Sequence, residues 1–185
     1  SITPEGERSI VLEKRLPAAR PRVPEPGPRP RAEHAAAEYA LRPARPADAD
    51  SISRLALASH DALFFNEQIY YPERVREMLE TGEMFSVVAE SVTGRIVGHG
   101  ALVAGAPGVR VEEMTFGFVN AEFRGARLAE KMVAALLDNA RSRGLAAVVT
   151  LAVTNHVYSQ RCAVREGFRE CALMLAASPA SRAWS

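Results

Sequence analysis

Residues Val119–Leu136 read VNAEFRGARLAEKMVAAL, and the fold turns on how this stretch is parsed. Behind it, VRVEEMTFGF (109–118) alternates apolar and polar side chains as a half-buried strand does. Ahead, Leu128, Met132, Leu136 and Ala140 recur every four residues with Ala129, Val133 and Leu137 beside them, a broad apolar stripe that predicts a helix over 127–143. A strand delivering directly into a helix leaves several backbone N–H groups unpaired at the helix start, with about half a positive charge of helix dipole behind them. That is an anion pocket. Gly125, Ala126 and Ala129 let an anion approach the backbone, and Arg124 supplies a bidentate charge. Arg127 stands where the spacing invites a second Gly. The Gly-Lys-Ser/Thr ending of a nucleotide-triphosphate loop is absent.

Working outward, YALRP (39–43) predicts a short strand, and RPADADSISRLALASH (45–60) a helix that Asp48 or Asp50 can cap. YPERVREMLETG (71–82) predicts a second helix, with Pro72 in its first turn and Gly82 as its stop. MFSVVAE (84–90), RIVGHGALVAG (95–105) and VRVEEMTFGFVN (109–120) are strands, the first two joined by a hairpin at Thr93-Gly94. Beyond the long helix, AAVVTLAV (146–153) reads as a central strand buried on both faces, YSQRCAVREG (158–167) as a helix ended by Gly167, and FRECALMLAA (168–177) as a last strand. This order predicts an α/β fold with a mixed central sheet flanked by helices, residues 39–178 forming the folded unit. Residues 179–185 read as a flexible tail. Residues 1–38 read as an N-terminal strand followed by a Pro/Arg-rich extended linker. In that segment SIVL (9–12) either pairs with the main sheet, stays disordered or belongs to an upstream domain.

The 185 residues, 48% of them apolar, can bury one sizeable core. A net charge of +1 offers no field for nucleic acid. Two cysteines fit neither a disulfide framework nor a zinc site, so a reduced, cytoplasmic setting and no metal are expected. No apolar run approaches a membrane span, so no membrane partner is expected. The chain begins at Ser1 rather than Met, as a processed product or a piece of a longer polypeptide would.

Taken with its element order, VNAEFRGARLAEKMVAAL resembles the pyrophosphate-binding motif of the GNAT superfamily of acyl-CoA N-acyltransferases, which runs Val-x-Pro-x-x-Arg-Gly-x-Gly-x-Gly/Ala into a long helix. LRPARPADADSISRL resembles the family's opening strand and helix, and REGFRE its closing Gly-Phe; the likeness spans Tyr39 to Ala176. The resemblance implies acetyl-CoA as acyl donor. Its pantetheine arm would pair with the backbone of Phe118 and Val119, and its pyrophosphate would rest on the N–H groups from Arg124 through Gly125, Ala126, Arg127 and Leu128 to Ala129, with Asn155 beside the cofactor. Three positions depart from the pattern. Arg127 and Ala121 replace a common Gly and Pro, and the Tyr that many members carry four residues before the closing Gly is Ala163 here.

An amine attacking a thioester must first lose a proton, because an alkylammonium has a pKa of roughly 10. Glu113, on the strand ending at Val119, is the expected base. By strict alternation it shares a side with Thr115 and Gly117, and Glu112 with Met114 and Phe116. Tyr158, just past a central strand, is the candidate acid, with water as its alternative. Cys162 and His99 read more readily as packing residues than as a nucleophile or base. Phe64, Phe65, Tyr70 and Tyr71 either cover the sheet, wall the acceptor site, or do both. The acceptor is a small-molecule amine or a protein amino group. The competing reading is a non-catalytic acyl-CoA-sensing or protein-interaction module, and a third is a domain that has lost the cofactor. ERSIVLEKRLP (7–17) weakly resembles the final strand of GHKL-type ATPase domains, which would make an upstream ATPase-like domain a partner; a homodimer is a further candidate assembly.

Overall fold

In the computed structural model the described residues are 7–15, 38–60, 64, 66–124, 127–153 and 157–178. They form the strands β1 (Glu7–Arg15), β2 (Tyr39–Pro43), β3 (Met84–Ser91), β4 (Ile96–Ala104), β5 (Val111–Val119), β6 (Ala147–Val153) and β7 (Arg169–Ser178), and the helices α1 (Ala49–His60), α2 (Pro72–Thr81), α3 (Leu128–Ser142) and α4 (Val157–Arg165). One seven-stranded sheet runs β2-β3-β4-β5-β6-β1-β7. Only β5 and β6 pair in parallel among the described residues; every other neighbouring pair is antiparallel. Of the three alternatives for the N-terminal strand, the structure has the first: β1 lies inside the sheet, between β6 and β7.

The local signals act where expected. Gly82, Gly94 and Gly167 all take positive φ, stopping α2, turning the β3–β4 hairpin and stopping α4. Asp48 is a correction. It belongs to a 3-10 turn, Pro46–Asp48, ahead of α1, and its carboxylate accepts from the Arg45 N–H (2.7 Å) and from Arg42 (2.7 and 2.9 Å). Those contacts hold its pKa below the ordinary carboxylate value, the Arg42 hydrogen bonds being the largest cause. Asp50 pairs with Arg76 of α2 at 3.2 Å.

Each face of the sheet carries its own core. On one side Leu128, Met132, Leu136, Leu137 and Ala140 of α3 pack against Val87, Val97, Leu102, Met114 and Val148. Burying each of the larger of these side chains contributes roughly 1.5–3 kcal/mol, which fixes how α3 lies and therefore where its first turn points. Gly98 permits the approach, since a Cβ there would meet Leu128, Met132 and Ala89 at 3.1 Å. On the other side Ile52, Leu55 and Ala56 of α1 and Val75 and Met78 of α2 pack against Met84, Val88, Ala101, Phe116 and Phe118.

Candidate active site

The junction is longer than the sequence suggests. A 3-10 turn, Ala121–Phe123, stands between β5 and α3, capped by the Asn120 side chain, which accepts from the Glu122 N–H at 3.0 Å. Its closing bond takes the Arg124 N–H to the Ala121 carbonyl at 3.2 Å, so that N–H is used within the turn. Arg124 itself is exposed, and Gly125 and Ala126 lie outside the described residues. Arg127 takes the left-handed conformation (φ 56°, ψ 23°) for which Gly is the usual residue. Its guanidinium is engaged by Glu130 at 2.9 Å, whose other oxygen accepts from Arg165 at the end of α4, also at 2.9 Å. The α-helical ladder opens with Lys131 N–H on the Arg127 carbonyl, so the N–H groups of Leu128, Ala129 and Glu130 have no partner inside the helix. Donors of this kind suit a phosphate group.

β5 and β6 pair over three residues, Val111↔Ala147, Glu112↔Val148 and Glu113↔Val149, and then part. The Thr150 hydroxyl closes the apex by donating to the Met114 carbonyl at 2.8 Å. Beyond it β6 pairs with β1 alone, leaving one backbone edge of β5 from Thr115 to Val119 facing a wedge. The expectation that β6 is buried on both faces fails here: Val149, Thr150 and Leu151 are partly exposed, because the departing strand uncovers them.

Alternation along β5 is broken by a bulge. His99 pairs with Phe118 and Ala101 with Thr115, so Phe116 and Gly117 together oppose Gly100, and Phe116 sits at φ 55°. The bulge moves Phe116 off the side it would share with Met114. Met114 packs under α3, whereas Phe116 and Phe118 face α1 and α2. Glu113 lies opposite Val103 and Thr115 opposite Ala101, which place both on the α1/α2 side. The two carboxylates thus part company. Glu112 is buried and bound through both oxygens by Arg143, one contact at 2.9 Å. Glu113 is half-buried at the apex of the wedge, and burial raises its pKa above the ordinary carboxylate value.

His99 is fully buried. Its Nδ1 lies 2.8 Å from the Phe116 carbonyl and its Nε2 3.1 Å from the Ser86 hydroxyl. A carbonyl only accepts, so Nδ1 carries the proton and Nε2 accepts from Ser86. Desolvation pushes the His99 pKa down to about 4, so the ring is neutral near pH 7. It is a core histidine with partners, as the sequence suggests. Phe64 covers Phe116 and Phe118 at centroid distances of 5.8 and 5.4 Å, and the Tyr70 hydroxyl accepts from the Phe64 N–H at 2.8 Å. Phe65 lies outside the described residues, and Tyr71 is exposed at the start of α2. Cys162 is buried, and burial pushes its thiol up to about 11, which leaves it poorly nucleophilic near neutral pH. Ala163, in the slot of the absent Tyr, packs in the α3 core. Asn155 lies outside the described residues, and Tyr158 is in the first turn of α4. Reading the sequence singled out neither Thr150 nor Ser86. Both act through long-range partners that no local pattern announces.

Among the described residues no group of His, Cys, Asp and Glu could hold a metal, and no helix is long and apolar enough to cross a membrane. Residues 49–175 match the acetyltransferase (GNAT) domain family. Similar solved structures include a GNAT-family protein from Novosphingobium aromaticivorans (16% identity, TM-score 0.65, covering 91% of this chain and 62% of that one). A ribosomal-protein-alanine N-acetyltransferase from Brucella melitensis superposes at 22% identity and TM-score 0.62, covering 72% and 86%. A GNAT N-acetyltransferase from Escherichia coli, solved in complex with CoA, does so at 26% identity and TM-score 0.54, covering 70% and 71%. The chain thus spans less than two thirds of the Novosphingobium protein. No curated protein matches the sequence significantly.

Proposed function

Because the chain belongs to the GNAT acetyltransferase family, we propose that it transfers an acetyl group from acetyl-CoA to an amine by direct attack in a ternary complex. The observation that carries this reading is the parting of β5 and β6 immediately after Glu113. The half-buried Glu113 thus stands at the head of a wedge that one backbone edge of β5 lines.

Acetyl-CoA supplies the thioester. The N–H groups of Leu128, Ala129 and Glu130 hold its pyrophosphate with Arg124, and the wedge-facing edge of β5 at Phe118 and Val119 takes the pantetheine arm as an added strand. Holding thioester and amine together converts a bimolecular encounter into an oriented one. Glu113, with its pKa raised by burial, accepts the ammonium proton directly or through water. The amine nitrogen then forms the new C–N bond, the C–S bond breaks and the nitrogen gives up its second proton to solvent; the thiolate takes a proton from water, or from Tyr158, which solvent then reprotonates, since Ala163 offers no hydroxyl. The acceptor is a small-molecule amine or a protein amino group.

Thiol release from acetyl-CoA, screened across polyamines, aminoglycosides, amino acids and peptide N-termini, tests the assignment. Release that collapses in Glu113→Gln while acetyl-CoA binding persists supports it. Binding without release for any amine supports instead a non-catalytic acyl-CoA sensor, which the buried Ala163 in the hydroxyl position would fit.

A further inference from the structure

Carbonyl groups alternate between the two edges of a strand. The Met114 carbonyl is on the β6 edge of β5, where Thr150 reaches it. Two residues on, regular alternation would put the Phe116 carbonyl on the same edge, facing the wedge. It is not free there: it accepts instead from Nδ1 of His99, a side chain that projects from the sheet face toward α1 and α2. Phe116 occupies φ 55° to do this, a conformation that costs an L-residue about 1–2 kcal/mol. Such strain persists only where surrounding contacts over-determine it.

The surroundings do so. Ser86 fixes the His99 ring from β3, the ring lies nearly parallel to Phe118 (16°, centroids 6.2 Å apart), and Phe64 closes over Phe116 and Phe118. Opposite the bulge stands Gly100, where a Cβ would come within 3.2 Å of Leu136. The arrangement has a chemical consequence. An acyl oxygen gathering negative charge in the wedge is repelled by a carbonyl dipole aimed at it and stabilised by N–H groups.

We propose that His99 is a positioning residue for acyl transfer: its Nδ1–H draws the Phe116 carbonyl off the wedge edge of β5, so that this carbonyl dipole is not aimed at the thioester oxygen. The inference rests on the transferase reading and deepens it. His99 touches neither substrate; it acts through the backbone of Phe116.

The test compares His99→Asn, whose amide N–H falls near the position of Nδ1, with His99→Leu, which has no donor, and His99→Gln, whose amide reaches toward Ser86. The first readout is the carbonyl stretch of bound acetyl-CoA carrying 13C at the thioester carbon, which requires no acceptor amine. The wild-type protein and His99→Asn are expected to lower that frequency relative to free acetyl-CoA, and His99→Leu and His99→Gln to lose the shift. The second is thiol release, expected to fall on the order of 100-fold in kcat for His99→Leu, with acetyl-CoA affinity changed less than about threefold, and to recover in His99→Asn. If His99→Leu does not fold, the Asn and Gln variants carry the comparison. An unshifted wild-type carbonyl, or a shift equal in the Asn and Gln variants, overturns the proposal while leaving the transferase reading in place. Failure of the wild-type protein to bind acetyl-CoA overturns both.

Discussion

Arg127 and Glu130 pair at 2.9 Å across the first turn of α3, and Arg127 does so from a left-handed backbone. The position therefore combines a conformational cost with a charge contact. Replacing the residue by Gly removes a cost of about 1–2 kcal/mol and an ion pair, worth about 0–1 kcal/mol, whose arginine is exposed and whose Glu130 keeps Arg165. These nearly cancel. Arg127→Gly is expected to melt within a few degrees of the parent and to bind acetyl-CoA within about threefold by calorimetry. Arg124→Ala, which removes an exposed charge at the same junction, is expected to weaken binding at least tenfold.

Glu112 and Glu113 are neighbours in sequence with opposite ledgers. Glu112 is held by Arg143 through both carboxylate oxygens, so Glu112→Gln should destabilise the fold on the order of 1–3 kcal/mol. Glu113 has its pKa raised by burial, so its folded state binds a proton more readily than the unfolded chain does. Its ionised form therefore costs stability as pH rises through that window. Glu113→Gln should melt at the same temperature or higher at pH 7.5 while losing thiol release at least a hundredfold. In the parent protein the acid limb of kcat/KM for thiol release should lie above the ordinary carboxylate range.

How far these residues could be read from the sequence depended on the range of the forces that set them. The stripe Leu128, Met132, Leu136 encodes α3 locally, and Gly82 and Gly167 mark helix stops because few other residues tolerate positive φ. The bulge left no such mark. Alternation runs unbroken through Glu112, Met114, Phe116 and Phe118, and it is His99, Ser86 and Phe64, from three other segments, that turn Phe116 over. The left-handed backbone at Arg127 was signalled only by the Gly that the motif commonly has there, not by the residue itself. The candidate base was legible as one of two carboxylates, and the choice of face was not, since the burial of Glu113 and the pairing of Glu112 depend on where β6 leaves and where Arg143 arrives.

His99 makes stability depend on pH below neutrality. Its pKa is 6.5 unperturbed and about 4 when folded, so between these values the unfolded chain binds more protons. The stability contributed by the neutral ring is full above about 6.5 and is lost as pH falls toward 4. The shift corresponds to roughly 3 kcal/mol across the whole window. Urea denaturation at pH 7.5, 6, 5 and 4.5 is expected to show that decline, and His99→Asn, which cannot titrate, should flatten it. An equal slope in both proteins would place the protonation elsewhere.

The strand at the start of the chain should be as necessary to the wedge as the helix that ends it. β7 pairs with β1, and β6 beyond Val149 has β1 as its ladder partner, from Ser9↔Val153 to Leu12↔Thr150. Removing residues 1–15 would leave β7 with no neighbour and β6 with a bare edge across the wedge from β5. Unpaired backbone groups on a formerly central strand are costly and invite edge-to-edge association. The truncated protein is therefore expected to lose its cooperative thermal transition, followed by circular dichroism, or to self-associate in sedimentation. A synthetic peptide of residues 7–15 added in excess should restore the transition and acetyl-CoA binding together. A truncated chain that melts as the full one does would show that β6 and β7 close on one another without it.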